Sequence, residues 1–408
     1  MTTSNDVAVI GAGIVGVCIA YELRKRGLNV LLIDRDEPGR GCSYGNSGAI
    51  SSASIAPLAM PGVLRSVPGM IGKDDSPLFL PWQYLPRAVP WLTQFVLSAR
   101  PERVEQSARR LADIHHDAVA LHTQMVHEVG VPELLLSLGH LHVYPDQTAF
   151  TKDAGGWRLR TKLGIDFQML DRDGIVQLEP KIHERYQLGV FMEDQATITN
   201  PYRYVQAIFK KFLADGGQFQ RVGVTRISRA GQGDWTVSTS DAAILASNVV
   251  VAAGIWTRDL LKPLGVKLAL EAQRGYHVQF QSDTSPVSRT VVLADKKVFV
   301  TPMTEGLRVG GTVEIAGLKA SPKTKRADAL ARIAFDNFKG LEEQPYTTWS
   351  GYRPCMPDSV PVIGPVENQL GLYLATGHGH LGLTDSIGTA HRIADMLDAD
   401  LQGVVATS

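Results

Sequence analysis

The stretch VAVIGAGIVGVCIAYELRKRGLNVLLID, residues 7–34, decides the fold. Val7 to Ile10 is a short apolar run of the kind that forms a parallel strand buried on both faces. The spacing predicts a helix from about Ile14 to Arg26, stopped by Gly27, and a second apolar strand from Asn29 to Ile33. Gly11, Gly13 and Gly16 fall at the turn between strand and helix. The first glycine permits the tight turn, the second lets backbone approach a pyrophosphate, and the third lets the helix pack close to the strand. Ile14 and Val15 open a helix whose free N–H groups can receive the pyrophosphate. Asp34, at the end of the second strand, is placed for ribose hydroxyls. Three glycines alone are a weak signal, but strand, helix, spacing and acid together make a strong one. The motif does not separate FAD from NAD.

Three later segments favour FAD. Asn248-Val-Val-Val-Ala-Ala253-Gly254-Ile-Trp256 is an apolar strand ending in glycine, as expected where a second stretch of backbone closes over a cofactor. Leu372-Tyr-Leu-Ala-Thr-Gly377-His378-Gly379-His380-Leu381-Gly382-Leu383-Thr384 runs from a strand into a glycine loop and a helix. That helix start can hold negative charge developing on a reduced flavin. Between them, Gly351-Tyr-Arg353-Pro-Cys-Met-Pro357-Asp-Ser-Val-Pro-Val-Ile-Gly364 sets an arginine in a proline-braced loop. A guanidinium fork matches a carboxylate.

Together these segments resemble the FAD-dependent amine and amino-acid oxidoreductases: D-amino acid oxidase, glycine and sarcosine oxidase, and above all bacterial D-amino acid dehydrogenase. The sharpest matches are residues 7–62, 248–261, 351–364 and 372–397. Residues 45–51, Gly-Asn46-Ser47-Gly48-Ala-Ile-Ser, resemble the small-residue loop beside the flavin ring, and Gly275-Tyr276 and Arg308 to Glu314 also resemble the dehydrogenase branch. The resemblance implies that Arg353 pairs with the substrate carboxylate and that Tyr276 faces the substrate. It implies that FAD is held by Gly11, Gly13, Ile14, Val15, Gly16, Asp34, Arg35, Ser43, Asn46, Ser47, Gly48, Val224, Ala253, Gly254 and Trp256. Gly379, His380, Leu381, Gly382, Leu383 and Thr384 would line the pyrimidine side. His378 or His380 could accept the amine proton, or only brace the loop. Ala49 and His380 depart from the dehydrogenase pattern, so the substrate itself does not carry over.

The expected architecture is α/β, a Rossmann-like FAD-binding domain of the glutathione-reductase type beside an α+β substrate domain on a mixed, largely antiparallel sheet. At 408 residues, two domains are the default. The FAD domain is expected from 1–60, 198–262 and 348–408, and the substrate domain from 61–197 and 263–347. Prolines interleaved with Trp82, Tyr84 and Trp91 predict irregular structure with short helices from Pro57 to Pro101. A long helix is expected from about Pro101 to Val129. Its His115, His116, His122 and His127 read as a solvated face without carboxylate partners, not as metal ligands. Trp82 and Trp91 are expected to fill the core.

Lys+Arg and Asp+Glu balance at 41 each, which gives no argument for nucleic acid. Cys18, Cys42 and Cys355 are odd in number and far apart, which suits a reducing compartment and argues against structural zinc. Cys355 reads as a buried or free thiol, not a flavin attachment. No metal is expected. The expected location is cytoplasmic, with peripheral contact at the inner membrane face compatible with it.

These readings converge on oxidation of a small amino acid in its catabolism, D-configured by the resemblance, a cyclic one such as D-proline or hydroxy-D-proline included. Hydride would pass from Cα to flavin N5, giving an imine and then a 2-oxo acid, with electrons leaving to a quinone or carrier. A glycine/sarcosine-type oxidase using oxygen stays open. An NAD(P)H-dependent flavin monooxygenase would need a second full nucleotide unit, and residues 7–34 are the one unit with strand, glycine turn, helix, second strand and acid. A non-catalytic flavoprotein subunit also stays open. Enantiomer, acceptor, oligomeric state and catalytic base are not legible.

Overall fold

The computed structural model of the chain describes residues 5–62, 78–282, 285–341 and 344–407. β1 (Asn5–Ile10), α1 (Ile14–Lys25) and β2 (Val30–Asp34) form the expected unit, with the strands parallel and Val7 opposite Val30. Alternation divides β1 between two cores. Val7 and Val9 cluster with α1 and the C-terminal helix, while Ala8 and Ile10 cluster with Leu31, Ile33, Val249 and Val251. Apolar residues on both faces hold such a strand at the centre of a sheet.

β3 (Ala243–Val251) pairs in parallel with the other edge of β1. Its first half also takes the antiparallel strand Trp235–Thr239, and its last half the parallel strand Leu372–Thr376. Gln218–Arg221 pairs outside β2, and Val224–Arg229 and Val362–Pro365 complete an eight-stranded sheet. At the glycine turn, Gly11 has φ +107°, and a Cβ there would lie 2.5 Å from the Ala252 carbonyl oxygen. A Cβ on Gly16 would lie 1.8 Å from the Gly11 carbonyl oxygen. Gly13 would meet nothing nearer than Ser43 Oγ at 3.5 Å. Two of the glycines are demanded by the fold, and the middle one leaves room for a ligand.

The second sheet has nine strands and is mixed but largely antiparallel. Its heart is β4 (Glu271–Phe280), flanked by β5 (Gly306–Glu314) and, after α2 (Thr324–Asn337), by β6 (Tyr346–Cys355), both antiparallel. Tyr276, Val278 and Phe280 point to the α2 face, where Ala327, Leu330, Ala331 and Ala334 cover them. The alternate residues Gln273, Gly275, His277 and Gln279 point to the first sheet. β6 lies within the segment assigned above to the FAD domain, yet it is the edge strand of the second sheet. The reason is pairing: all ten residues of β4 are buried, and β6 supplies its second partner along its whole length.

The expected helix from Pro101 to Val129 is two, Pro101–His115 and Ala118–Glu128, broken where Asp117 takes φ −99° and ψ 12°. A helix Leu85–Ser98 runs through the proline-rich stretch, with Pro86 in its first turn, where the missing N–H costs nothing, and Pro90 inside it. The rest of that expectation, at 63–77, lies outside the described residues. Trp91 is buried and its indole donates to the Cys355 carbonyl at 3.1 Å. Trp82 is 67% exposed, which corrects the expectation that it fills the core. It precedes the helix and belongs to no apolar cluster among the described residues. No helix among the described residues is long and apolar enough to cross a membrane.

Gly16→Ala should destabilise the protein by about 1–3 kcal/mol, because backbone must move to admit the methyl group. Gly231→Ala, with nothing within 4 Å, should stay within about 0.5 kcal/mol. Urea midpoints of the two variants, read without added FAD, check the pair.

Candidate active site

The glycine turn, the loop Cys42–Gly48 and the turn Gly377–Thr384 meet the inward face of β4 and β6 in one cleft. At one end, Asp34 Oδ2 accepts the Ala12 N–H at 2.6 Å and Oδ1 accepts the Asp36 N–H at 2.9 Å. Burial raises the Asp34 pKa against these two bonds, so the carboxylate sits partly desolvated beside the glycine turn. The Val222 N–H donates to the Asp34 carbonyl at 2.8 Å, which brings Val224 to the same end. There the Arg35 guanidinium lies 4.1 Å from the centre of the Trp256 ring. Ala253 and Gly254 are half-buried nearby, and Thr376 Oγ1 donates to the Gly254 carbonyl at 2.9 Å.

The start of α1 differs from expectation in one respect. The Ile14 N–H is not free, because it donates to Ser43 Oγ at 2.9 Å. The hydroxyl of Ser43 therefore stands at the helix N-terminus beside Gly13, presenting a side-chain donor in addition to the remaining backbone N–H groups.

The loop Cys42–Gly48 is tied to the second sheet at three points. Cys42 Sγ lies 2.7 Å from the Tyr352 carbonyl oxygen, His277 Nδ1 lies 3.1 Å from the Gly45 carbonyl oxygen, and Arg308 donates to the carbonyls of Tyr44 and Asn46. Asn46 Oδ1 accepts the Gly48 N–H at 2.8 Å, and Ser47 lies half-buried between them. Gly48 has φ +79°, and a Cβ there would lie 2.2 Å from the Ile198 carbonyl oxygen. Arg308 also donates to Gln279 Oε1, and all its partners are neutral. Desolvation pulls its pKa down to about 10.

The turn Gly377–Thr384 closes the far side. His378 is buried, and its Nε2 pairs with Thr389 Oγ1 at 3.1 Å, so its ring braces the last helix, α3 (Ser386–Thr407), and is turned away from the cleft. This corrects its candidacy as a proton acceptor. His380 lies on the open side of the turn. Desolvation, followed by Arg353, lowers the pKa of its imidazole. Leu381 and Leu383 are buried beneath the turn, a Cβ on Gly382 would lie 3.8 Å from Val15 Cγ2, and Thr384 Oγ1 donates to the Ala49 carbonyl at 3.2 Å.

Two helix histidines overturn the solvated-face expectation. His122 is fully buried, pairs with the Tyr204 hydroxyl through Nδ1, and donates from Nε2 to the Leu383 carbonyl at 2.9 Å. His115 is sealed 3.0 Å from Asp385, the carboxylate partner not foreseen. Both back the turn from the protein side, whereas His116 and His127 are exposed. The helix period placed them on the face that packs against α3, which the charged sequence around them obscured.

Arg353 lies on the cleft face of β6. Its guanidinium leans across β4, so a Cβ on Gly275 would lie 2.3 Å from Nη2. Nη1 donates to the Thr312 carbonyl at 3.1 Å, and no carboxylate pairs with it among the described residues. Desolvation lowers its pKa, opposite to the effect of an acidic partner. Trp349, two alternations along β6, leans back over Gly351, whose Cβ would lie 2.4 Å from the indole.

Tyr276 is on the other face. Its hydroxyl donates to Glu314 and accepts the Lys323 N–H at 3.0 Å. Arg274 also lies there, 3.3 Å from Glu314. The expectation that Tyr276 faces the substrate is corrected by the two-residue period of β4: it shares a side with α2, and its neighbour His277 shares a side with Arg353. Sequence reading missed His277, Trp349 and Cys42 as site residues, and the alternation along Gln273, Gly275 and His277 is the signal that points to the first.

These groups fit FAD. Gly13 leaves the space a pyrophosphate needs, Ser43 and the start of α1 supply donors, Asp34 is an acceptor at the ribose end, and the glycine-rich loops at 42–48 and 377–384 present backbone that a flat ring could approach.

The profile of the FAD dependent oxidoreductase family, DAO, matches residues 6–396. A D-amino-acid oxidase of Bradyrhizobium diazoefficiens is 39% identical over 404 residues, covering 97% of this chain and 96% of that protein. A D-amino acid dehydrogenase of Rhizobium johnstonii is 31% identical over 400 residues, covering 96% and 95%. Among solved structures, glycine oxidase from Bacillus cereus superposes with a TM-score of 0.76 at 19% identity, covering 97% of this chain and 98% of that one.

Asp34→Ala should raise the Kd for FAD about 10- to 100-fold, as expected for losing hydrogen bonds to a charged acceptor. Titration of FAD-free protein with FAD, followed by flavin fluorescence, reads the shift; an unchanged Kd counts against a ribose-end role.

Proposed function

This chain belongs to the DAO family of FAD-dependent oxidoreductases, and from that premise we propose that it oxidises the C–N bond of a small D-amino acid, with cyclic ones such as D-proline or hydroxy-D-proline included. It is an FAD-dependent enzyme of the D-amino-acid oxidase and dehydrogenase type. The single observation that supports the finer reading is Arg353, a guanidinium inside the cleft with one carbonyl and no carboxylate partner. A charge so placed is costly unless a ligand neutralises it. A substrate carboxylate, held in two-pronged fashion, is the complementary group.

Bound FAD supplies the acceptor for the hydride that leaves the substrate Cα. The protein's part is to orient and to exclude water. Arg353 fixes the carboxylate, and the closely spaced Gly275 and Gly351 let the guanidinium and the Trp349 indole lie flat on the sheet. Fixing the carboxylate fixes Cα relative to the cleft, and positioning of this kind supplies much of an enzymic rate. The ammonium gives up one proton to solvent as it binds and Cα gives up one hydride, which leaves a protonated imine. Water converts an open-chain imine to a 2-oxo acid and ammonia, whereas a ring amine gives a cyclic imine.

Electrons leave to a quinone or another carrier in this reading, with peripheral contact at a membrane as its natural setting. Oxygen is the second reading, and the 39% identical relative named as an oxidase favours it. Oxygen uptake against quinone reduction, each with the same amino acid, separates the two.

Anaerobic bleaching of the flavin by a panel of D-, L- and N-methyl amino acids tests the activity. Arg353→Ala should keep the flavin bound and lower kcat/KM by about two to four decades, because the carboxylate loses the guanidinium fork that holds it. Arg353→Lys should restore part of this, since an ammonium keeps charge but not the fork. Near-normal turnover in Arg353→Ala would move the carboxylate elsewhere.

Gly275→Ala is the indirect version of the same test. Its methyl displaces the end of a flexible side chain, so stability should change by less than about 1 kcal/mol. KM should rise at least about 10-fold, equivalent to roughly 1.4 kcal/mol of lost carboxylate binding. Steady-state kinetics beside a thermal melt reads both.

A further inference from the structure

The mechanism above uses Arg353 for one end of the amino acid and leaves the other end unread. The same face of β4 carries His277, two residues beyond Gly275, over which the Arg353 guanidinium leans. His277 is fixed by two contacts. Its ring stacks on Trp349 with centroids 5.1 Å apart and planes at 19°, and its Nδ1 lies 3.1 Å from the Gly45 carbonyl oxygen. A carbonyl can only accept, so Nδ1 carries the hydrogen. In the neutral ring, Nε2 is then a lone-pair acceptor.

Nε2 has no hydrogen-bond partner among the described residues, and it is not among the sealed orphan atoms. It is therefore open to the cleft. The ring is also kept neutral. Desolvation, then Arg308 and Arg353, hold its pKa down to about 3. A cationic imidazole would repel an ammonium group, whereas this one offers it an acceptor. His380, across the cleft, has no contact that fixes which nitrogen carries its hydrogen.

We propose that His277 Nε2 accepts a hydrogen bond from the amino group of the substrate, so that Arg353 and His277 recognise the two ends of one amino acid. This rests on the carboxylate reading of Arg353. His277 acts here by binding and positioning: the neutral ring is too weak a base to keep a proton, and it fixes the nitrogen so that its lone pair lies in line as Cα gives up hydride. The Trp349 stack and the Gly45 carbonyl hold the ring in place. Because Gly45 belongs to the loop that would pass a bound flavin, the nitrogen's position would be set against the cofactor and not against the sheet alone.

The test compares holoenzymes of the wild type, His277→Leu, His277→Gln and Arg353→Ala. Anaerobic flavin reduction by D-alanine and D-proline gives apparent Kd values, and inhibition by propionate and cyclopentanecarboxylate gives Ki values for the same skeletons without nitrogen. His277→Leu should weaken the amino acids about 10- to 100-fold and leave the carboxylates within about 2-fold. His277→Gln, with an amide oxygen near the place of Nε2, should recover part of the loss, and it serves if the leucine variant does not fold. Equal weakening of amino acids and carboxylates in both variants, or no weakening of the amino acids, overturns the proposal. Arg353→Ala should weaken both ligand classes together. If it weakens neither, the carboxylate reading fails on its own, separately from His277.

Discussion

A half-buried guanidinium left without a carboxylate partner among the described residues is the constraint around which this molecule is arranged. Arg353 is buried deeply enough for desolvation to lower its pKa, and its one bond is to the Thr312 carbonyl. Ordinary folding would pair such a charge, as it pairs Arg274 with Glu314 on the other face of the same sheet. The two arginines stand one strand apart in the register, since Arg353 faces Gln273 and Tyr352 faces Arg274. One is consumed by the fold and the other is withheld from it. Glycines at 275 and 351 make that possible, because side chains there would occupy the space the guanidinium and the Trp349 indole take.

The second requirement is that the charge stand at a defined height over the cofactor loops. The loop Cys42–Gly48 begins in the first sheet's half of the molecule and is pinned to the second by Tyr352, His277 and Arg308. Arg308 is another buried cation, and its partners among the described residues are the neutral oxygens of Gln279, Tyr44 and Asn46, so it holds the loop while keeping its charge. Small residues in the loop are a consequence of the approach. A Cβ on Gly45 would lie 2.0 Å from the Trp349 ring, and one on Gly48 would strike the backbone of Ile198. The loop thereby ties the two sheets together across this surface.

Histidines show how burial sorts one residue type into different tasks. His122 and His115 support the Gly377–Thr384 turn from behind, bonded to Tyr204 and the Leu383 carbonyl in one case and set against Asp385 in the other. His378 braces Thr389. His277 and His380 alone reach the cleft face, and desolvation together with nearby arginines keeps both neutral. Neutral rings beside an unpaired guanidinium leave that guanidinium as the dominant charge, which suits a site meant for a zwitterion.

The sequence by itself determined the nucleotide unit at residues 7–34, the strands around 249, 307 and 372, and the arginine at 353. Each is local: a two-residue or 3.6-residue apolar period, a glycine forced by a turn, or a side chain inside a proline-braced loop. Helices such as Thr324–Asn337 and Leu85–Ser98 were not legible, because their signals are weak or contradicted by proline and depend on a sheet face to cover. Only the tertiary structure decided which side of β4 meets the cleft. Tyr276 and His277 are adjacent, and a one-residue change of register exchanges them, so the choice rests on α2 claiming one face and the loop Cys42–Gly48 the other. The same is true of His115 and His122, whose partners come from the far end of the chain. Residue type and spacing announce a chemistry, but the side a residue faces is settled by what packs against it.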